Sequence, residues 1–170
     1  MLDILKIVLP ALLVLITAYL LINRLLKNEE KQRNFELQKT SQNTITPIRL
    51  RAYERLTLVL ERTSPNSLVL NCMKPGMSNF ELQNQLIKCI RDEFAHNVSQ
   101  QIYVTNELWT TIRATQESLI RLVNTCAAQC QPNNDATELA EMVIKLFAQS
   151  EQTPTEVAVE LLKKEVSAFL

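Results

Sequence analysis

The chain reads as an all-α protein: one N-terminal transmembrane helix followed by a small antiparallel bundle of about five helices. Three observations predict this. Ile7 to Asn23 is an uncharged, largely apolar run bracketed by Lys6 and Arg24. Gly76 is the only glycine among 170 residues, which disfavours hairpin-rich β folds because their tight turns lean on glycine. Beyond the run, apolar residues recur at three- and four-residue spacing between helix-cap signals.

The run defines the expected anchor, residues 1–26. At roughly 1.5 Å per residue it covers roughly 26 Å, and flanking leucines extend it while Lys6 and Arg24 reach the interfaces. Pro10 sits near its start, where a lost N–H matters least. A cleavable signal peptide fits poorly, since Asp3 offsets Lys6 and no small-x-small cleavage site follows Asn23. A core helix would show a polar face, and only Thr17 and Tyr19 interrupt residues 7–22. Lys6 alone precedes the run, whereas Arg24, Lys27, Lys31, Arg33 and Lys39 follow it, which predicts an N-out, C-in protein of a cytoplasmic membrane. Cys72, Cys89, Cys126 and Cys130 form no CxxC pair and are expected to be reduced and mostly buried, although four cysteines also suffice for two disulfides.

Residues 27–44 read as a polar juxtamembrane stalk, with a favourable Glu29–Arg33 pair, an unfavourable Lys27–Lys31 pair and no sustained heptad. Residues 45–170 suffice for one compact helical domain with its own core. Thr46-Pro47 starts its first helix, running to Thr63 with Ile48, Ala52, Tyr53, Leu56, Val59 and Leu60 on one arc. Leu68-Val69-Leu70 is an apolar run, either extended or packed loop. Lys74 to Met77 makes a turn, and Ser78-x-x-Glu81 is a capping box launching a helix with Leu82, Leu86, Ile87, Cys89, Ile90, Phe94 and Val98 on its arc. From His96 to Thr105 helical and extended preferences mix, so helix, kink and strand all stay open. Asn106 caps the next helix, whose Trp109, Ile112, Leu119, Val123, Cys126 and Cys130 make a seam ending before Pro132. After the turn Asn133-Asn134-Asp135, Leu139, Met142, Val143, Leu146 and Phe147 mark a fourth helix. Thr153-Pro154 opens a fifth, with Leu161, Leu162 and Phe169 inward, and the short connections favour antiparallel packing.

Chemistry is sparsely signalled. With one glycine there is no phosphate-cradling loop, and 18 basic against 18 acidic residues imply no nucleic-acid partner. His96 is the only histidine, and HExxH and paired-histidine spacings are absent. Asp92 and His96 are i, i+4 neighbours, as when a carboxylate orients an imidazole, although a surface contact explains the spacing equally well. Cys126 and Cys130 share a helix face and either join Cys89 and His96 around a soft metal or fill the seam as small apolar residues. No catalytic residue, metal site or cofactor is assigned. Glu93 and Asn97 project within the arc of Leu86, Ile90 and Phe94, and Gln116 lies mid-seam, which implies an internal polar network, a partner groove or simple exposure. Arg51, Arg55 and Arg62 form a stripe that is a solvated face balanced by Glu54 and Glu61, or a contact for lipid phosphates or an acidic partner.

Four stretches carry a resemblance: MLDILKIVLPALLVLITAYLL, ITPIRLRAYERLTLVLERTSPNSL, KPGM and IRDEFAHNVSQQIYVT. Together they resemble an uncharacterised family of bacterial single-span membrane proteins with a cytoplasmic helical domain, from the N-terminus to about Cys130. The resemblance implies a bacterial cytoplasmic membrane and supplies no activity and no site residue. The resulting expectation is a membrane-tethered protein-interaction domain, a scaffold, adaptor or oligomerisation module with an unknown protein partner or a second copy. The alternatives are an anchored enzyme or metal-binding domain using His96 and the thiols, and an inner-leaflet lipid-binding domain using the arginine stripe.

Overall fold

The computed structural model describes residues 2–150 and 152–169; the side chains at 2–14, 16, 18, 34, 37, 38, 40, 41 and 169 lie outside the described set. Among the described residues six α-helices and one 3-10 turn follow in order: α1 (Leu2–Arg62), α2 (Pro65–Cys72), α3 (Asn79–His96), the 3-10 turn Val98–Ile102, α4 (Asn106–Ala127), α5 (Ala136–Ala148) and α6 (Pro154–Phe169). The all-α class is what the scarce glycine and the apolar spacing predict. The chain divides into two compact units, Met1–Pro47 and Ile48–Leu170.

The predicted transmembrane helix is not supported. Among the described residues no helix is long and apolar enough to cross a membrane. The apolar run is not a separate element; it opens a 61-residue helix that continues through the polar stretch beyond Arg24. Within Ile7–Asn23 the side chains described are Leu15, Thr17 and Tyr19 to Asn23. Arg24, Leu25 and Leu26 are exposed, and the side chains of the rest of the predicted anchor lie outside the described residues. The orientation argued from the flanking charges rested on that span. α1 also runs through Thr46-Pro47, where the sequence predicts a start. Proline removes the donor for the Asn43 carbonyl, but its fixed φ is helical and the ladder resumes beyond it.

In the second unit, α3 packs on α2, α4 and α5, and α4 packs on α5 and α6. Leu82, Leu86, Leu108, Leu139 and Val143 are wholly buried among them, joined by Leu56 and Leu60 of α1. Ile48, Val98 and Leu146 stand at the edges of their predicted arcs and are exposed. The run Leu68-Val69-Leu70 is helical. Pro65 takes the first position of α2, where no N–H is needed, and the Leu68 N–H donates to the Ser64 carbonyl at 2.8 Å. Leu68, Val69 and Cys72 turn inward and Leu70 is 81% exposed. With Pro65 also buried, four inward positions in a helix of eight residues are too few for periodicity to separate helix from strand.

The helix starts follow the predicted cap grammar. The Ser78–Glu81 box is complete: the Ser78 hydroxyl accepts from the Glu81 N–H at 3.3 Å, and Glu81 accepts from the Ser78 N–H at 2.9 Å. Thr153 and Glu156 make the same reciprocal pair at the head of α6, at 3.2 and 2.9 Å. Asp135 caps α5 by accepting from the Thr137 N–H at 2.8 Å. For α4 the cap is Thr105, one residue before the predicted Asn106, because its hydroxyl oxygen reaches the Leu108 N–H at 3.3 Å.

Two side-chain clusters join these starts to the rest of the bundle. Asn79, 2% exposed, donates through Nδ2 to the Gln131 carbonyl at 2.8 Å and to Glu138 Oε2 at 3.0 Å, and accepts from the Leu139 N–H at 3.1 Å. Backbone bonds from Asn79 to Asn134 and from Ala136 to Met77 complete a clasp between the heads of α3 and α5. At the other cluster, Glu165 of α6 accepts from the Tyr53 hydroxyl at 2.9 Å, the Thr105 N–H at 3.0 Å and the Thr105 hydroxyl at 2.6 Å. Arg49 donates to the Tyr53 hydroxyl at 2.7 Å and to the Tyr103 carbonyl at 3.0 Å. Burial, then the Glu165 carboxylate, push the Tyr53 phenol above its ordinary value, so it stays a protonated donor. This clamp fixes where α4 begins.

Asn79→Ala leaves the buried Leu139 N–H without its partner and removes the donor to the part-buried Gln131 carbonyl, and is expected to destabilise the protein by about 1–3 kcal/mol in urea unfolding. A second outcome concerns acid. Hydrogen bonds from the Ser78 backbone and hydroxyl hold Glu81 below its ordinary 4.5, and the Thr153 backbone and hydroxyl do the same for Glu156. The Thr137 hydroxyl, then its backbone, hold Asp135 below 3.8. Each group is more acidic folded than unfolded, so its contribution is complete above these ordinary values and is lost as pH falls through the lower folded ones. Thermal scans should therefore place Glu156→Gln below the parent at pH 7, with the gap closing as the pH is lowered past 4.5.

Candidate functional site

A groove opens where the last turns of α3 face the first turns of α4. Trp109, Arg113 and Gln116 follow one another along one α4 face at helical spacing. Arg91, Phe94 and Ala95 of α3, then Val98 and Gln101 of the 3-10 turn, form the facing wall of a cavity of about 440 Å³. α3 ends because Asn97 leaves helical geometry, at φ −111° and ψ 9°, while its side-chain amide donates back to the Glu93 carbonyl at 2.9 Å. The tighter 3-10 turn follows, burying Gln100 and leaving Val98 half exposed. Phe94 is nearly buried and Trp109 partly so, both packed on the core, which makes the floor apolar and rigid.

The rim is cationic. The lining holds Arg91 and Arg113 and no carboxylate, and among the described residues neither arginine has an ion-pair partner. Tryptophan and arginine around a packed aromatic floor are the side chains that concentrate binding energy at protein interfaces. A larger cleft of about 780 Å³, between the end of α1 and the head of α6, differs in kind. Its Thr153 and Glu156 already satisfy each other as the α6 cap, and Glu160 accepts from Gln152 at 3.2 Å.

The residues singled out in the sequence are distributed over several places. Glu93 is half-buried, with Oε1 3.6 Å from Arg62 Nη1, so the pair links α1 to α3. Asn97 meets the Glu93 backbone, as above. Gln116 lines the groove, while Asp92 and His96 are exposed on the last turns of α3. Arg51 and Arg55 are exposed on α1. Cys72 contacts Cys89, and burial first, then Cys130, raises the Cys126 thiol above its ordinary value. Among the described residues no group of three or more His, Cys, Asp or Glu side chains is placed to hold a metal ion.

Sequence reasoning did not single out Arg91 and Arg113. Their helix-face relations to Phe94 and Trp109, at i+3 and i−4, are legible in the sequence. That these two faces oppose one another is not, since it depends on how α3 and α4 pack.

A family of unknown function (DUF7935) matches residues 1–169. No curated protein and no solved structure matches the chain.

The Arg62 and Glu93 side chains are 60% and 31% exposed, and an ion pair so open to water contributes at most about 1 kcal/mol. Glu93→Ala should therefore move the urea midpoint only slightly and keep unfolding cooperative. Loss of cooperative unfolding would assign Glu93 to the core instead.

Proposed function

We propose that the chain, which belongs to the DUF7935 family of unknown function, is a helical protein-interaction module. It acts as an adaptor or scaffold by capturing an acidic, amphipathic segment of a partner protein in the α3–α4 groove. The resemblance to bacterial proteins supports reading it as a component of a bacterial cell. The observation that carries the proposal is Trp109 on a core-packed aromatic floor, flanked by Arg91 and Arg113. An apolar side chain of the partner would cover Phe94 and Trp109, removing apolar surface from water. Carboxylates on either side would meet the two guanidinium groups, whose planar forks suit bidentate pairing. The Gln116 amide, with both donor and acceptor, would register the partner's backbone.

Trp109 is the only tryptophan, so its fluorescence reports on this groove alone. An acidic amphipathic helix-forming peptide carrying Leu and Phe on one face should shift that emission, with an affinity that falls as salt is raised. Arg91→Glu with Arg113→Glu should weaken binding by about tenfold or more and leave the thermal midpoint unchanged, since both side chains are exposed. Equal binding to the charge-reversed variant would refute the site. A concentration-dependent dimer that the same substitutions dissolve would assign the groove to a second copy of the chain.

A further inference from the structure

Cys72 and Cys89 stand in direct contact, the Cys72 thiol donating to Cys89 Sγ across 2.7 Å. The contact brings together two separate elements. Cys72 is the last residue of α2 and 4% exposed, while Cys89 lies midway along α3 and is only half-buried. The Gln85 side-chain amide approaches Cys89 Sγ at 3.5 Å from the turn before it. No disulfide joins them in this structure. Burial, then the bond to Cys89, pushes the Cys72 thiol up to about 12, which keeps it protonated while its neighbour reacts.

We propose that Cys72 and Cys89 form a dithiol modification site that a hydroperoxide converts into a disulfide between α2 and α3. Cys89 is the sulfur that reacts first, because it is the one open to solvent. Its thiolate attacks one peroxide oxygen and the O–O bond breaks. The departing oxygen takes up the thiol proton and leaves as water, or as an alcohol from an organic peroxide, and Cys89 becomes a sulfenic acid. The Cys72 sulfur then attacks the Cys89 sulfur, the S–O bond breaks, and the hydroxyl leaves as water with the Cys72 proton. The two thiols lose two electrons and the peroxide gains them. The crosslink ties the end of the shortest α-helix to α3 and holds Leu70, 81% exposed, on the outer face of α2.

The full chain treated with hydrogen peroxide should lose the mass of two hydrogens. Peptide mapping should find one crosslink, joining Cys72 to Cys89, with Cys126 and Cys130 still open to alkylation after denaturation. The thermal midpoint should rise and return on adding a dithiol reductant. In Cys72→Ser the resolving sulfur is gone, and a dimedone adduct should accumulate at Cys89. Peroxide that leaves the mass unchanged, drives Cys89 directly to sulfinic acid in the parent chain, or crosslinks Cys126 to Cys130 in preference would overturn the assignment. The mapping on the parent chain stands whether or not the serine variant folds.

Discussion

Asn79 holds the bundle in register. Its side chain is almost completely buried, and a buried amide must find partners for both its donor and its acceptor groups. It finds them in the segment between α4 and α5 and at the head of α5, more than fifty residues away in sequence. The consequence is geometric. α3 and α5 begin side by side, the end of α4 lies against the same place, and α4 therefore runs antiparallel to its neighbour α3. Apolar packing alone tolerates sliding of one helix along another, whereas a side chain with three directed bonds does not.

The Glu165 cluster constrains the opposite end of α4 by the same physics, with a charge in place of an amide. One carboxylate, mostly shielded from water, accepts from Tyr53 and from both donors of Thr105, and Arg49 lies 3.6 Å away to balance it. Such a group is stabilised only while its partners stay in place, because an unpaired buried carboxylate is costly. Thr105 is thereby both the cap of α4 and a ligand of α6. Trp109 follows one turn later, so the wall of the groove inherits its position from this clamp. The proposed interaction site is thus built on rigid elements, while its arginines remain free in water to meet a partner.

Much of the bundle was legible residue by residue. Ser78 with Glu81 and Thr153-Pro154 each state a helix start, and Asn133-Asn134-Asp135 the turn before another, through chemistry confined to four residues or fewer. The buried faces of α3, α4 and α5 follow from apolar spacing in the same local way. Reading failed where local signals were too short or were outweighed. α2 has too few turns to display a period. Thr46-Pro47 carries the marks of a helix start, yet α1 passes through it. The uncharged run near the N-terminus satisfies a hydropathy window, but it belongs to a 61-residue helix in which no described stretch is long and apolar enough to span a bilayer.

The sequence by itself determined that this is a helical protein, where most of its helices begin and which sides of α3, α4 and α5 avoid water. Those properties depend on hydrogen bonds and side-chain spacing within a few residues of one another. Only the tertiary structure decided which faces meet. Tyr53 and Glu165 are 112 residues apart, Asn79 and Leu139 are 60 apart, and Arg91 shares a groove with Arg113 only because α3 packs on α4. Cys72 and Cys89 likewise carry no recognisable motif, and their contact exists because one helix ends against the middle of another. Contacts of this kind arise from the joint burial of several amphipathic faces, so no single segment of the chain encodes them.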